Sequence, residues 1–299
     1  MSPPLPGFQE SESSNEVQFH LHLVSDSTGE TLEAIVSAAL VQFEGVNVHK
    51  HYWPLVRSAM QMSRLMEDIC EQPGLVMYTL VNTEIRQVLE QSCMEKNIPV
   101  LSILDPVINL LGSYFGQQAS HKPGRQHTMD AQYFQRIDAL HFTMAHDDGQ
   151  LVEDVNEADI ILVGVSRSSK TPTSIYLANK GYKTLNVPFV PNCPMPPELD
   201  AVKDKFVLGL TTSAERLVQI RTNRLRSINE NEEAVYTDHE HIQDEIKECR
   251  RYCTKRGWQT IDVTRRSIEE TAAAILNRYY QWLEKNGKAH PQELPSGLR

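Results

Sequence analysis

From residue 17 almost to the end, strand-like and helix-like segments take turns, and this alternation constrains the fold more than any other feature of the chain. Residues 17–25 (VQFHLHLVS) alternate apolar and polar, and 75–80, 98–104, 159–163, 183–190, 205–211 and 258–263 read as further strands. Between them, Leu32, Ile35, Val36, Ala39, Leu40 and Phe43 share one helical face. Residues 83–96, 172–180, 213–228, 238–256 and 267–284 read as helices, and another is predicted after Pro106. Ser27 with Glu30, and Ser267 with Glu270, have the spacing of capping boxes. Strands interleaved with helices of this length predict an α/β protein with parallel sheets covered on both faces. A length of 299 residues allows one large or two ordinary domains. No solenoid period interrupts the pattern.

One turn in the series carries chemistry. In DIILVGVSRSSKTPTSIYLANKG, residues 159–181, an apolar strand runs into Gly164, and Lys170 and Thr171 open a helix. This is the layout of a phosphate-binding loop with Ser169 where a glycine is usual. Such loops aim backbone N–H groups and a helix N-terminus at phosphate oxygens. The predicted nucleotide-binding residues are Gly164, Val165, Ser166, Arg167, Ser168, Ser169, Lys170 and Thr171. Gly164 lets the chain turn off the strand, Lys170 supplies a point charge, Arg167 adds a second cation, and the Thr171 hydroxyl is a candidate Mg²⁺ ligand. Serine at 169 is expected to alter the local geometry of the loop. Pro172 suits the first helical turn. The organisation that follows is a tail at 1–16, an N-terminal α/β region at 17–150, a C-terminal P-loop kinase-like parallel-sheet region at 151–287, and a loose tail at 288–299. Residues 119–127 read as a loop or linker.

Other segments admit two readings. In HFTMAHDDGQ a strand-like run ends at His146, and Asp147 and Asp148 then serve as Mg²⁺ ligand or proton acceptor, or merely as an Asp-Gly turn. Arg216, Arg221, Arg224 and Arg226 crowd one helix and either meet phosphoryl charge or form a solvated face. The turn VSDSTGET, 24–31, offers hydroxyls and Gly29 to an anion, or only caps a helix. Asp105 is an acid at a sheet edge or a routine Asp-Pro turn, and the His20–His22 pair on one strand face reads as packing rather than metal binding.

The net charge of −10 argues against a general nucleic-acid binder, and no apolar run approaches the roughly 20 residues of a membrane helix. The start lacks an apolar signal core and an arginine-rich transit pattern, so a cytoplasmic protein is expected. Five scattered cysteines at 70, 93, 193, 249 and 253 agree with reduced thiols, Cys249 and Cys253 lying one helical turn apart.

With SDSTGET, FTMAHDDG and GVSRSSKTPTSIYLA in that order, the chain resembles the family of pyruvate, phosphate dikinase regulatory proteins, which shares its sequence type with regulators of phosphoenolpyruvate synthase. The likeness spans residues 18 to 285, and serine before the lysine fits the family's pattern. The resemblance implies a bifunctional serine/threonine kinase and phosphorylase. It implies ADP as phosphoryl donor to a threonine of the target, and inorganic phosphate as acceptor in the return step, giving pyrophosphate. Asp147, Asp148 and Lys170 are the catalytic candidates, with Mg²⁺ a candidate cofactor. Pyruvate, phosphate dikinase is the expected protein partner, with phosphoenolpyruvate synthase as the alternative, and a homodimer is compatible with it. A small-metabolite P-loop kinase and a nucleotide-sensing module without chemistry are the competing readings, the latter favoured if the carboxylates lie far from the loop.

Overall fold

The computed structural model describes residues 18–120, 131–150, 152–202, 204–227 and 236–288. The tail at 1–16, most of the tail at 288–299 and the linker beyond residue 120 lie outside these residues. The chain divides into two compact units, between residues 128 and 129.

The first unit contains β1 (Gln18–Ser25), α1 (Glu30–Leu40), β2 (Asn47–Trp53), α2 (Ala59–Glu71), β3 (Leu75–Thr79), α3 (Thr83–Glu95), β4 (Val100–Ser102) and α4 (Asp105–Phe115). Its four strands form a parallel sheet in the order β2-β1-β3-β4. One face buries Val24, Val76 and Tyr78 against Met62, Leu65 and Ile69 of α2 and Ile85 and Leu89 of α3. The other buries Leu21 and Leu23 against Leu32 and Val36 of α1. β2 and α2 are two elements that the strand–helix reading leaves unassigned.

The second unit contains α5 (Ala131–Ala145), β5 (Ile160–Gly164), α6 (Lys170–Asn179), β6 (Thr184–Pro188), α7 (Pro197–Ala201), β7 (Phe206–Thr211), α8 (Ala214–Ser227), α9 (His239–Lys255), β8 (Gln259–Asp262) and α10 (Ile268–Lys285). The sheet is again parallel, in the order β6-β5-β7-β8. Ile161, Val163, Leu185 and Val187 face Ile242, Ile246, Cys249 and Cys253 of α9, while Ile160, Leu162, Leu208 and Ile261 face Leu177 of α6 and Ala272, Ile275 and Tyr279 of α10. A strand covered on both sides has no polar face to display, which is why 160–163 is uninterrupted hydrophobe.

Three expectations change. The run before His146 is helix, not strand, because its buried positions Ala139, Phe142, Thr143 and His146 recur at helical spacing. That helix belongs to the second unit, so the division falls earlier than the 150/151 boundary read from sequence and groups Asp147 and Asp148 with the loop. The Ser27–Glu30 capping box does not form: the N-cap of α1 is Gly29 at φ 84°, with no side-chain cap. The Ser267–Glu270 box on α10 does form, as does one at Ser58–Gln61 on α2. Among the described residues no helix is long and apolar enough to cross a membrane.

Candidate active site

β5 ends at Gly164, and the chain turns through Val165–Ser169 into α6. Gly164 is required by space: a Cβ there would meet the Leu210 carbonyl oxygen at 2.6 Å and Ser168 Oγ at 2.8 Å. Within the turn, Arg167 and Ser169 have left-handed backbones, φ 70° and 63°, flanking Ser168. Alternation of this kind turns successive N–H groups toward one point and makes an anion-binding concavity. Serine therefore adopts the backbone that glycine takes, at roughly 1–2 kcal/mol, rather than reshaping the loop. The Val165 carbonyl gathers the turn, accepting from Ser168 N at 3.3 Å, Ser168 Oγ at 2.9 Å and Lys170 Nζ at 3.0 Å. Ser166 and Arg167 are exposed.

Lys170 is the first residue of α6 and is only 4% exposed. Burial pushes its ammonium down to about 8, against the pull of Asp148 and Asp147 upward and with Arg167 adding to the depression. Its one hydrogen bond among the described residues goes to the neutral Val165 carbonyl, which leaves the ammonium able to meet an anion. Thr171 follows, its hydroxyl donating to Asp147 Oδ1 at 3.0 Å across 24 residues of sequence. Asp147 opens the short 3-10 turn that ends α5, and Asp148 beside it has φ 51° and is exposed, with no hydrogen-bond partner among the described residues. The turn is fixed from below by His146, held between the Phe142 carbonyl at 2.6 Å and Asp154 Oδ2 at 3.1 Å. Asn186 of β6, fully buried, donates to Asp147 Oδ1 and to Thr171 Oγ1, the latter at 3.1 Å. Nothing in the motifs points to Asn186; its signal is a carboxamide in the middle of an apolar strand.

The arginines of α8 separate. Arg221 is 1% exposed, pairs with Glu245 Oε2 at 2.6 Å and donates to the Ser166 carbonyl at 3.3 Å, so it buttresses the loop from behind. Arg216 and Arg226 instead line an open groove with Ser213, Thr264 and Arg265. In the first unit, Asp105 is engaged by Arg86 at 2.8 Å. His20 and His22 stack on His51 of the neighbouring strand, and His22 receives Trp53 Nε1 at 3.3 Å, so the pair packs. Cys249 and Cys253 are buried free thiols on α9. Among the described residues no group of three or more His, Cys, Asp or Glu side chains could hold a metal ion.

A buried lysine at the head of a helix, a backbone concavity and two carboxylates come together at the end of one α/β sheet, an arrangement able to receive an anion. The chain belongs to the kinase/pyrophosphorylase family, whose sequence profile matches residues 21–276. It is 56% identical over 261 residues to a protein of Rhizorhabdus wittichii named as a pyruvate, phosphate dikinase regulatory protein, covering 87% of this chain and 95% of the relative. Relatives with the same name from Novosphingobium aromaticivorans (54%, covering 88% and 94%) and Rhizobium meliloti (50%, covering 86% and 95%) are similar over the same length. Among solved structures, an ABC transporter periplasmic solute-binding protein from Actinobacillus succinogenes aligns over 91% of this chain and 93% of its own. Identity there is 12% and the TM-score 0.23, a likeness too slight to inform the fold.

Proposed function

We propose that this protein is an ADP-dependent protein serine/threonine kinase, and a phosphate-dependent, pyrophosphate-forming phosphorylase, acting on pyruvate, phosphate dikinase. The observation that carries this is the Thr171–Asp147 hydrogen bond, which joins the carboxylate pair to the loop in one small space. Carboxylates far from the loop would have favoured a nucleotide sensor without chemistry; adjacent ones favour transfer. The names borne by the relatives favour the dikinase over phosphoenolpyruvate synthase as target.

In the forward direction the C-terminal region acts as a P-loop kinase. The concavity at 164–169 cradles the α and β phosphates of ADP, and Lys170 neutralises charge on the transferring group. The target threonine Oγ attacks the β-phosphorus, the bond to the bridging oxygen breaks, and AMP leaves. Asp147 is committed to Thr171 and Asn186, and Asp148 is exposed with no hydrogen-bond partner among the described residues, which favours Asp148 as the carboxylate that accepts the threonine proton. In reverse, an oxygen of inorganic phosphate attacks the phosphothreonine phosphorus. Pyrophosphate forms, and the threonine oxygen leaves with a proton returned from the same acid. Both directions crowd several negative charges around one lysine.

The test is incubation of the purified chain with dikinase and labelled nucleotide. ADP should yield AMP and a phosphothreonine, ATP should substitute poorly, and added phosphate should release pyrophosphate from the phosphorylated enzyme. Strict ATP dependence, or turnover of a free metabolite with no protein target, would overturn the reading in favour of a small-metabolite kinase.

A further inference from the structure

The outer face of α8 and the turn after β8 wall a groove of about 710 Å³. Arg216 and Arg226 lie on that face, opposite the buried stripe of Leu217, Arg221 and Leu225 that ties the helix to the core. Thr264 and Arg265 line the facing turn. Arg216, Arg226 and Arg265 are all exposed, and none of them is in an ion pair among the described residues. The one acid on the lining, Glu215, is hydrogen-bonded to His239 at 3.3 Å, and Asp262 beneath Thr264 faces Arg250 at 3.5 Å. Three cations without a counter-charge thus share one groove, in a chain whose net charge is −10. The groove is short of an anion.

We propose that this groove docks an extended acidic segment on the surface of the protein substrate, separate from the residue that is phosphorylated. Its place supports this. β7 and β8 lie one and two strands from β5 in the same parallel sheet, so the groove opens, at Ser213 and Thr264, on the sheet edge that carries the phosphate loop. Neighbouring strands are about 5 Å apart, which makes the two sites close neighbours along that edge. Length supports it too. Arg216 and Arg226 are ten residues apart on one helix, about 15 Å, the span of four or five residues of extended chain. A free metabolite would meet one end of such a groove; a chain segment meets both. Guanidinium groups take carboxylates in two-point contact. On an open surface such pairs guide encounter and orientation more than they hold tightly, which suits a target released after each transfer. The helix also fixes the distance to the chemistry, because Arg221 on its inner face donates to the Ser166 carbonyl at 3.3 Å. A nucleic acid is the poorer occupant, since it needs a broad basic face and meets a net charge of −10.

The inference rests on the protein-kinase reading for the identity of the substrate, and two measurements keep them apart. In the first, transfer to the dikinase is followed at rising salt. The wild-type KM for dikinase should rise with salt. Arg216→Glu combined with Arg265→Glu should raise KM about tenfold, the low end of electrostatic steering, with kcat and ADP affinity unchanged, and should flatten the salt dependence. Lysine at both positions should stay near wild type. In the second, fluorescein-labelled hexaglutamate is titrated with the full chain at low salt, without nucleotide, and followed by anisotropy. The wild type should bind it and leave hexaglutamine unbound, and the doubly reversed variant should lose it. A wild-type KM after Arg226→Glu is added to the other two reversals, or hexaglutamate left unbound by the wild type, would overturn the groove. So would a loss of ADP affinity with KM for dikinase unchanged, which gives the arginines to the nucleotide. A labelled single-stranded oligonucleotide bound more tightly than hexaglutamate would overturn it in favour of a nucleic-acid surface. Hexaglutamate bound through these arginines, with no transfer to dikinase, would instead sink the kinase reading and leave the acidic-segment groove standing.

Discussion

The two units are built to one plan and use it differently. In each, the first strand lies inside a four-stranded parallel sheet, with the second strand on one side and the third and fourth on the other. The strand order reverses beside the first strand, where open α/β sheets leave a crevice at their carboxyl ends. In each, the chain leaves that strand by a polar turn ending in a left-handed residue, Gly29 or Ser169, and enters a helix. The first unit fills its crevice with its own anion. Asp26, buried, accepts from Val81 N at 2.8 Å and Asn82 N at 3.3 Å just past β3, while Ser25 Oγ accepts from Ser27 N and Thr79 Oγ1, both at 3.1 Å. The second unit puts no carboxylate in its turn and buries a lysine instead. A shared topology provides a place for an anion in both units. Only where the chain withholds its own is the place left to an outside anion, the phosphate of the proposed reaction, so the two turns share a fold position but not a role.

The most severe break in this contrast is Lys170→Ala, which leaves the second unit with neither an internal anion nor a cation to receive one. Both phosphoryl transfer to the dikinase and phosphate-dependent removal should fall by roughly 10³-fold, with circular dichroism unchanged. Full activity in either direction would show that the two reactions do not share this site. Next in size is Asp148→Asn, which should slow transfer by roughly 10²-fold, the low end for general-base catalysis, and leave ADP affinity by calorimetry intact. If the rate holds and ADP affinity drops, Asp148 serves binding and not proton transfer.

Much of this plan is legible in the sequence, and the omissions have physical causes. The buried strand 160–163 and the loop after it declare themselves because a strand covered on both faces must be continuously apolar. β2 (NVHKHYW) carries no such signal; it is an edge strand with a largely part-exposed pattern, and pairing with β1 makes it a strand. α2 is different, since Met62, Leu65, Met66 and Ile69 keep helical spacing behind a Ser58–Gln61 capping box, signals that the strand–helix reading passes over. The stretch before Asp147 looks like a strand over four residues and like a helix over fifteen, so the window decides. Lys170 and Thr171 can be found by motif; Asn186 cannot, because its relation to them exists only after β6 pairs with β5.

Asp26→Ala sharpens the comparison from the other side. It strands the Val81 and Asn82 amides, which should cost roughly 1–3 kcal/mol in urea unfolding. ADP affinity should change less than about twofold, on the view that the first turn is satisfied internally and independent sites do not couple. A large loss of ADP affinity with stability preserved would mean that SDSTGET belongs to the binding machinery, and the two turns would then be partners rather than opposites.

One further effect comes from pH alone, and it isolates the lysine without any substitution. Burial holds the Lys170 ammonium at about 8, against an ordinary value of 10.5. Below about 8 both folded and unfolded chains carry this charge, and the native state bears its full desolvation penalty. Between about 8 and 10.5 the folded protein sheds a proton that the unfolded chain keeps, so this group makes stability rise with pH across that window. Anion binding runs the other way, because phosphate favours the charged form. ADP affinity should therefore fall about tenfold from pH 7 to pH 9, and binding near pH 8.5 should take up a proton, measurable by calorimetry in buffers of different ionisation enthalpy. In Lys170→Met both trends should vanish. In the first unit the turn has no buried lysine to titrate, so Asp26→Ala should leave both slopes as in the wild type. An ADP affinity flat from pH 7 to pH 9 in the wild type would mean that the lysine does not meet the phosphates, and the difference between the two turns would have to be sought in their backbones.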